Sequence, residues 1–337
     1  MAKENASEKK LMVGGQAVIE GVMMRSPEMV AVACRRADNS IIVWRKAYQS
    51  LLHRYKFLSL PIFRGSIVLI EALVLGVQAL TFSGDVAMAD EQAKHASTNA
   101  QRSAQRPGQR TTGQKIWMGL TLAFAFAIGL GIFFYVPLLL TDWLGARTGF
   151  WFNLVDGIIR MIFFLGYLTL ITQMKDIRRV FEYHGAEHKS IFNFEEKKAL
   201  LPETAATFTR FHPRCGTSFL LIVMLVSIFV FMGLGRPETV ADRLLRLAFI
   251  PVIGGLSYEF IRLSDKGYRN SFWRWFILPG LWLQRLTTKE PDLSQLEVAI
   301  VSLKAALGED VALLPNVVVE DDGKALVTSP SGELSAA

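Results

Sequence analysis

Two long stretches of this sequence contain no charged side chain. Residues 116–141 form a run of 26 uncharged positions, and residues 215–235 form a second run of 21. A helix needs about 20 mainly apolar residues to cross the hydrocarbon core of a bilayer. Charged residues make up only 20% of the chain, whereas soluble domains usually carry about 25%. The sequence therefore predicts a membrane protein and excludes a freely soluble one.

Two further segments are long enough to span a bilayer but contain charges. Asp156 and Arg160 lie one helical turn apart in the first, so they are predicted to neutralise each other. Pro251 lies in the second and favours a kink there. A four-helix membrane domain is therefore predicted at residues 116–263. Its four spans are residues 116–141, 148–174, 217–235 and 244–263.

Basic residues predict which side of the membrane each connecting segment occupies. Residues 1–56 contain ten Lys and Arg, residues 84–115 contain five, and residues 174–216 contain eight. Segments rich in Lys and Arg remain in the cytosol. We therefore expect both termini and the loop at residues 175–216 to be cytosolic. The chain carries a net charge of +7, and in a membrane protein such an excess is typical of basic cytosolic loops. No nucleic-acid partner is predicted.

Residues 57–83 are apolar but do not fit a simple crossing, because the segments on both sides are basic. An amphipathic helix in the membrane interface or a re-entrant hairpin is consistent with this position. The polar residues of this segment form one stripe along a helix, and a helix packed on the cytosolic portion through a polar seam explains that stripe more simply. The following residues 84–115 are predicted to be a flexible basic linker. The stripe recurs every seven positions and consists of Arg64, Glu71, Gln78 and Asp85.

The N-terminal residues 1–56 are predicted to form a β-rich cytosolic region. Two β-rich runs within residues 29–48 surround a turn at residues 37–40, which indicates a hairpin, and residues 16–24 are predicted to be another strand. Only two cysteines occur, which excludes a disulfide-stapled secreted domain. The expected fold is a membrane α-helical protein with about four transmembrane helices, an interfacial or re-entrant helix, and a small cytosolic α+β portion at the N-terminus.

The C-terminal part is predicted to return to the cytosolic side. Residues 264–313 are an interfacial and cytosolic helical region, because tryptophans around Pro279 resemble an interfacial anchor. Asp292 is the predicted cap of a helix at residues 293–307. Residues 314–337 are predicted to be a disordered tail.

The strongest chemical pattern lies in the loop at residues 175–216. His184, Glu187 and His188 form an H-x-x-E-H pattern. On a helix, side chains four positions apart share a face, so both imidazoles can bind one divalent metal ion, with zinc the expected metal. Glu187 is then close enough to act as the catalytic base.

Two further residues of the same loop are candidates for the third metal ligand. His212 and Cys215 are three positions apart and are both soft-metal ligands. A site with one of them retains an open position, whereas a site with both is closed and structural. Arg214 between them could lower the pKa of the thiol or bind an anionic head group. Cys215 as a nucleophile activated by His212 or His188, and the pair as simple caps of the third span, are the alternatives.

Three other charged residues are candidates because a charge among apolar residues needs a partner. Glu20 and Arg25 lie in a glycine-containing apolar segment, where they form either a buried structural pair or part of a site. Glu259 lies at the expected cytosolic end of the fourth span, where an ionisable group is a functional candidate.

The five-residue histidine pattern resembles the zinc motif of the inverzincin peptidases, in which a downstream carboxylate completes the site; Glu259 is its counterpart here. Nearly the whole chain, from residue 12 to residue 307, resembles the YqhQ family of bacterial membrane proteins. That resemblance implies a metal-dependent enzyme in a bacterial plasma membrane. The segments that carry it are residues 14–27 (GGQAVIEGVMMRSP), 60–65 (LPIFRG), 183–195 (YHGAEHKSIFNFE), 212–219 (HPRCGTSF), 258–264 (YEFIRLS) and 283–292 (LQRLTTKEPD).

These features together predict a membrane-embedded, cytosol-facing metalloenzyme, expected to be a hydrolase. Its partners would be the lipid bilayer and a lipid or membrane-tethered peptide substrate. A non-enzymatic membrane scaffold or assembly factor with a structural metal is the first alternative. A transporter is the second, and the residues that point to it are Asp156, Arg160, Glu71 and Glu259.

Overall fold

The structure is a computed structural model that describes residues 13–96, 112–146, 148–266, 271–321, 324–328 and 334–336. Its strands are β1 Gly14–Val18, β2 Gly21–Arg25, β3 Met29–Arg35, β4 Ile41–Ala47, β5 Val317–Asp321, β6 Lys324–Thr328 and β7 Leu334–Ala336. Its helices are α1 Leu51–Arg54, α2 Phe63–Ala96, α3 Thr112–Leu130, α4 Val136–Trp143, α5 Gly149–Ile171, α6 Lys175–Glu195, α7 Pro202–Ala206, α8 Gly216–Leu234, α9 Val240–Ala248, α10 Ile250–Lys266, α11 Ser271–Thr287 and α12 Leu293–Ala306. A π-helical turn, Gly131–Tyr135, joins α3 to α4.

The strands form one sheet in the order β1-β2-β3-β4-β5-β6-β7. The predicted hairpin at residues 37–40 is confirmed, since β3 pairs antiparallel with β4. The predicted single strand at residues 16–24 is wrong: β1 and β2 form a second hairpin, and Glu20 adopts a φ of 51° in its turn. The predicted disordered tail is also wrong for its strands, because β5 pairs in parallel with β4. Val317, Val318 and Val319 favour a strand, but no local pattern indicates the distant strand with which it pairs.

Alternate residues of the strands face two different layers of helices. Val22 and Met24 point toward a core shared with α6, α7 and α12. Met23 and Val32 point to the opposite face, which packs against α2. This period of two is the normal geometry of a strand. The sheet is therefore buried on both faces, with α6 and α12 on one face and α2 on the other.

α2 corrects two of the sequence predictions. It runs as one continuous helix of 34 residues, so a re-entrant hairpin is wrong, and residues 84–96 of the predicted linker are helical. Residues 97–111 of that linker lie outside the described residues. The polar stripe makes specific contacts: Arg64 forms an ion pair with Glu259. Glu71 accepts hydrogen bonds from the Tyr48 hydroxyl at 2.7 Å and the Leu51 amide at 2.6 Å.

Five described segments are helical, long and apolar enough to cross a membrane. Four of them match the predicted spans, and the fifth is most of α2. They are Phe63–Lys94, Ile116–Trp143, Gly149–Ile171, Gly216–Leu234 and Val240–Leu263. The predicted Asp156–Arg160 pair is formed, with Arg160 Nε 2.9 Å from Asp156 Oδ2. The protein is therefore mostly helical, with helices of the kind found in multi-pass membrane proteins.

Of the two C-terminal helices, α12 returns to the sheet. α11 continues through Pro279, and its side chains from Leu283 to Thr287 include buried positions, while Trp282 is 57% exposed. Of the three tryptophans of the expected interfacial anchor, Trp282 is therefore exposed as expected. Trp273 and Trp275 lie outside the described side chains. The cap at Asp292 is confirmed, since its side chain accepts a hydrogen bond from the Gln295 amide.

A glycine on α6 sets the distance between this helix and the segment after α11. A Cβ at Gly185 would lie 2.1 Å from the backbone oxygen of Lys289. The Lys289 amide in turn donates a hydrogen bond to the Phe181 carbonyl at 2.8 Å. Glycine therefore costs helix propensity at this position but permits close approach of two backbones.

We expect Gly185→Ala to lower the free energy of unfolding by about 1–3 kcal/mol, because the added methyl group overpacks against a backbone carbonyl. Gly84→Ala is the matched control: it is also a helical glycine, and its Cβ would meet nothing within 4 Å. The control should be neutral or stabilising by up to about 1 kcal/mol. Thermal unfolding in detergent measures both, and equal behaviour of the two variants would contradict this account of Gly185.

Candidate functional site

α6 presents His184, Glu187 and His188 to the interior of the protein. The predicted helix is confirmed, and its inner face is deeply buried: Glu187 is 5% exposed and His188 is 2% exposed. His184 is half-buried. The rings of the two histidines lie 4.5 Å apart between centroids, as expected for positions one turn apart on one face.

The segment before α8 supplies the opposite wall of the site. Cys215 is the N-cap residue of α8 and is 4% exposed. Its Sγ lies 3.4 Å from His184 Nε2. The segment is held by reciprocal hydrogen bonds of 2.8 Å between the backbone of His212 and the side-chain amide of Gln284 on α11. Three helices therefore meet at this point.

Three ligand atoms converge between these walls. His184, His188 and Cys215 each offer one atom, and these atoms all lie within 4.8 Å of one another. In a tetrahedral zinc site, with Zn–N near 2.0 Å and Zn–S near 2.3 Å, the ligand atoms are roughly 3.3–3.6 Å apart. The His184–Cys215 distance of 3.4 Å already has this value. The donor set of two imidazoles and one thiol fits zinc.

Backbone carbonyls orient both histidines. Nδ1 of His184 lies 2.7 Å from the Thr287 carbonyl, and Nδ1 of His188 lies 2.5 Å from the Arg210 carbonyl. A carbonyl only accepts hydrogen bonds, so each Nδ1 carries the proton and each Nε2 keeps a lone pair. Histidines that bind metals usually donate their other ring N–H to a carbonyl or carboxylate in this way. Burial also lowers the pKa of His188, which favours the neutral form that binds metals.

Glu187 lies beside the ligand cluster and is anchored by the sheet. Its Oε2 is 3.4 Å from His188 Nε2. The backbone amide of Gly15 in β1 donates a hydrogen bond to its carboxylate. A Cβ at residue 15 would lie 2.6 Å from Glu187 Cγ, so the glycine permits this contact. Burial raises the pKa of Glu187 above its usual range, and the nearby His184 and His212 act in the opposite direction.

His212 and Arg214 lie next to the cluster and contact a different carboxylate. The His212 ring is 5.7 Å from the His188 ring, and its Nε2 is 3.6 Å from Glu195 Oε2. Arg214 forms an ion pair with Glu195. Of the two candidates for the third ligand, Cys215 is therefore the one whose donor atom joins the two histidines. The guanidinium of Arg214 is therefore paired with the Glu195 carboxylate and not with the Cys215 thiol.

The other candidate residues lie elsewhere. Glu20 forms an ion pair with Arg179 of α6, so the expected pair with Arg25 is not formed. Arg25 stacks over the ring of Tyr48, 4.7 Å from its centroid. Glu259 contacts Arg64 of α2, so it is not the carboxylate that completes the cluster. That expectation came from sequence order alone, which does not indicate which helices α10 would contact.

Several residues around the cluster have no signal in a local sequence motif. The Thr217 hydroxyl lies 3.1 Å from Cys215 Sγ and 3.2 Å from the Thr287 hydroxyl. Thr287 also supplies the carbonyl that binds His184. It is about 100 residues from the histidine pattern. The sequence block at residues 283–292 contains Thr287, but spacing could not assign it a role.

Comparisons with known proteins agree with the resemblance drawn from the sequence blocks. A family model described as "Protein of unknown function (DUF1385)" matches residues 60–309. A relative from Bacillus subtilis (strain 168), "Uncharacterized protein YqhQ", is 32% identical over 302 residues, which cover 87% of this chain and 92% of the relative. No solved structure matches the chain. The chain therefore belongs to the DUF1385 family, and the resemblance to YqhQ is confirmed.

Proposed function

We propose that this protein is a membrane-embedded, cytosol-facing, metal-dependent enzyme, and that it is a hydrolase. The observation that carries the proposal is the convergence of His184, His188 and Cys215, with ligand atoms within 4.8 Å of one another. Three protein ligands leave a fourth position open, which is the arrangement of catalytic zinc sites. When bound there, a zinc ion would act as a Lewis acid and make water more acidic.

The chain's own residues support this chemistry. Thr287 and Arg210 hold the two imidazoles with their Nε2 atoms toward the thiol. Glu187 would take a proton at its carboxylate, because its raised pKa moves it toward the range in which a general base works well. The Gly15 amide would hold that carboxylate in place. Burial of this site excludes bulk water and strengthens each electrostatic contact.

The position of the site supports a substrate that reaches it from the membrane. Cys215 directly precedes α8, one of the apolar helices, and Thr287 ends α11. The surrounding loop at residues 175–216 is rich in Lys and Arg and is therefore assigned to the cytosolic side of a bacterial plasma membrane. Lipid head groups or membrane-tethered peptides are the substrates that such a site would receive.

Strand pairing supports four crossings with both termini in the cytosol. β4 and β5 come from opposite ends of the chain and pair directly, so both belong on one side of the membrane. Leu75, Ala79 and Phe82 of α2 pack into the core of the same sheet. The C-terminal half of α2 would then remain beside the sheet, despite its apolar composition. Crossings by α3–α4, α5, α8 and α9–α10 give the required even number.

Labelling of single cysteines by a membrane-impermeant maleimide tests this topology. We expect Thr148→Cys to react in intact cells, and Glu28→Cys and Ser103→Cys to react only after lysis. The native thiols give little background because Cys34 is fully buried and Cys215 is 4% exposed. Reaction of Ser103→Cys in intact cells would mean that α2 crosses the membrane.

Elemental analysis of the purified protein tests the metal site. We expect about one zinc per chain, and loss of that zinc in His184→Ala, His188→Ala and Cys215→Ala. Cys34→Ala is the matched control, since Cys34 is the other buried thiol and lies in the core between the sheet and α2. If the wild-type protein binds no zinc or other divalent metal, the proposed enzyme is excluded. If His212→Ala loses zinc and Cys215→Ala retains it, the third ligand is His212.

A second candidate function is a non-enzymatic scaffold whose metal pins the loop to the membrane helices. The burial of His188 and Cys215, at 2% and 4% exposed, favours it, because closed structural sites are shielded in this way. Glu187 could then act as a fourth ligand through its Oε2, 3.4 Å from His188 Nε2. An enzyme needs the Glu187 carboxylate as a base, whereas a scaffold with three ligands does not need it.

Glu187→Gln separates the enzyme from the scaffold. In an enzyme, the variant should retain zinc and lose about 10²–10⁴-fold in rate, and with it the ability to complement a strain lacking the gene. In a scaffold with three ligands, it should retain both zinc and complementation. Glu182→Gln on the same helix is the control, since Glu182 contacts Gln295 and Arg178 instead of the cluster. Loss of zinc in Glu187→Gln would indicate a four-ligand structural site.

A further inference from the structure

An open cavity lies among the apolar helices, away from the histidine cluster. It has a volume of about 550 Å³ and is lined by α3 with its π-helical turn, α5, α8 and α10. This volume is in the range of ligand-binding cavities, roughly 300–1,000 Å³. Most of its lining is Leu, Phe, Ile, Val, Met, Ala and Gly. The two polar side chains in that lining are Arg160 and Ser227.

Arg160 makes this cavity different from a simple gap between helices. It is 8% exposed and comes from the middle of α5. Ser227 is already satisfied, since its hydroxyl donates to the Met224 carbonyl at 2.7 Å. The guanidinium is therefore the group in the lining that can recognise a charged ligand. A charge within an apolar helix bundle is a functional candidate because it is costly to keep there.

The charges around Arg160 do not balance. Asp156 pairs with Arg160 at 2.9 Å and lies 4.0 Å from Arg246 Nη1, so two guanidinium groups share one carboxylate. All three side chains are at least nine-tenths buried. Arg246 also donates to the Asn153 side-chain oxygen at 2.7 Å, which is neutral. Counted alone, Asp156, Arg160 and Arg246 therefore carry one net positive charge; the carboxylates of Asp142 and Asp242 act on this group from outside it.

The π-helical turn supplies a backbone carbonyl and an aromatic ring that contact Arg160. Arg160 Nη2 donates a long hydrogen bond of 3.4 Å to the Phe134 carbonyl within this turn. The guanidinium carbon lies 4.5 Å from the centroid of the Phe134 ring and 5.4 Å from that of Phe231. π-Helical turns often occur at functional sites. Two aromatic faces thus hold the cation at the edge of the cavity.

The cavity also has a route to the bilayer. Only 11% of the most apolar window in Ile116–Trp143 is buried, the lowest share among the five apolar segments. α3 is therefore the most exposed of these segments, and in a bilayer its side of the cavity would meet hydrocarbon. A ligand would enter from the lipid phase.

We propose that this cavity binds a long-chain fatty-acyl carboxylate, with its hydrocarbon chain along α3 and α8 and its carboxylate against Arg160. The single net charge of the buried group matches a monoanionic carboxylate. A guanidinium can bind a carboxylate through two parallel hydrogen bonds. The volume of about 550 Å³ is sufficient for one hydrocarbon chain.

The test uses the full chain in discs of phosphatidylcholine, with empty discs as the blank. Energy transfer from tryptophan to parinaric acid reports binding, and oleate, oleyl alcohol and phosphatidylglycerol are the competitors. We expect oleate to compete at least about tenfold better than oleyl alcohol, because charge-assisted hydrogen bonds contribute about 1.5–3 kcal/mol. Arg160→Gln should remove this difference, whereas Arg243→Gln, which changes a cation stacked on Tyr135, should retain it.

A second pair of variants tests the cavity without changing any charge. A Cβ at Gly129 meets nothing within 4 Å, and Gly129 lines the cavity, so Gly129→Leu should fill it and weaken oleate binding at least about tenfold. Gly119→Leu is the matched control on α3, equally open but outside the lining, and should bind normally. The two glycine variants test whether oleate binds in this cavity even if Arg160→Gln fails to fold. Equal competition by oleate and oleyl alcohol, equal competition by phosphatidylglycerol, or full binding by Gly129→Leu would overturn the proposal.

Discussion

The site depends on how closely α6 approaches two backbone segments. The carbonyls of Thr287 and Arg210 bind the Nδ1 atoms of His184 and His188, and each comes from a different part of the chain. Gly185 permits the approach, since any larger residue would meet the Lys289 carbonyl. Without these contacts the imidazoles would rotate freely, and their Nε2 atoms would have no fixed relation to Cys215. Preorganised ligands of this kind lose less entropy when they bind an ion.

The sheet connects this site to both ends of the chain. β1 contributes the Gly15 amide that holds Glu187, while β4 and β5 join the N-terminal and C-terminal segments. α6 and α12 cover one face and α2 covers the other. Any distortion of the sheet would therefore reach the carboxylate beside the cluster. The position of Glu187 is thus a property of the whole domain and not of the helix alone.

Two charged side chains of α2 have specific partners, as the cost of burial requires. Arg64 pairs with Glu259, and Glu71 accepts hydrogen bonds from Tyr48 and Leu51. These contacts give structural roles to residues that had suggested a transport path. The group around Asp156 differs because two arginines share it.

Local patterns in the sequence were sufficient for several elements. The uncharged runs predicted the apolar helices, because a bilayer imposes a minimum length. The four-residue spacing of His184 and His188 predicted a shared helical face, and Asp292 predicted a helix start. Errors arose where pairing decides the outcome. β5 was predicted as disordered tail, and residues 84–96 of α2 were predicted as a linker. Of the alternatives for residues 57–83, the packed helix with a polar seam agrees with α2, which packs on the sheet.

The sequence by itself determined the helices that are long and apolar enough to cross a membrane, the helix that carries His184, Glu187 and His188, and membership of a family recognised by its sequence blocks. Each of these depends on residues that are neighbours in the chain or repeat at a fixed spacing. Only the tertiary structure decided that Cys215 joins the histidines, that Glu259 pairs with Arg64, and that Thr287 and Gly15 support the site. Those contacts join segments up to 195 residues apart, and their geometry depends on packing between helices and sheet, which no local pattern encodes.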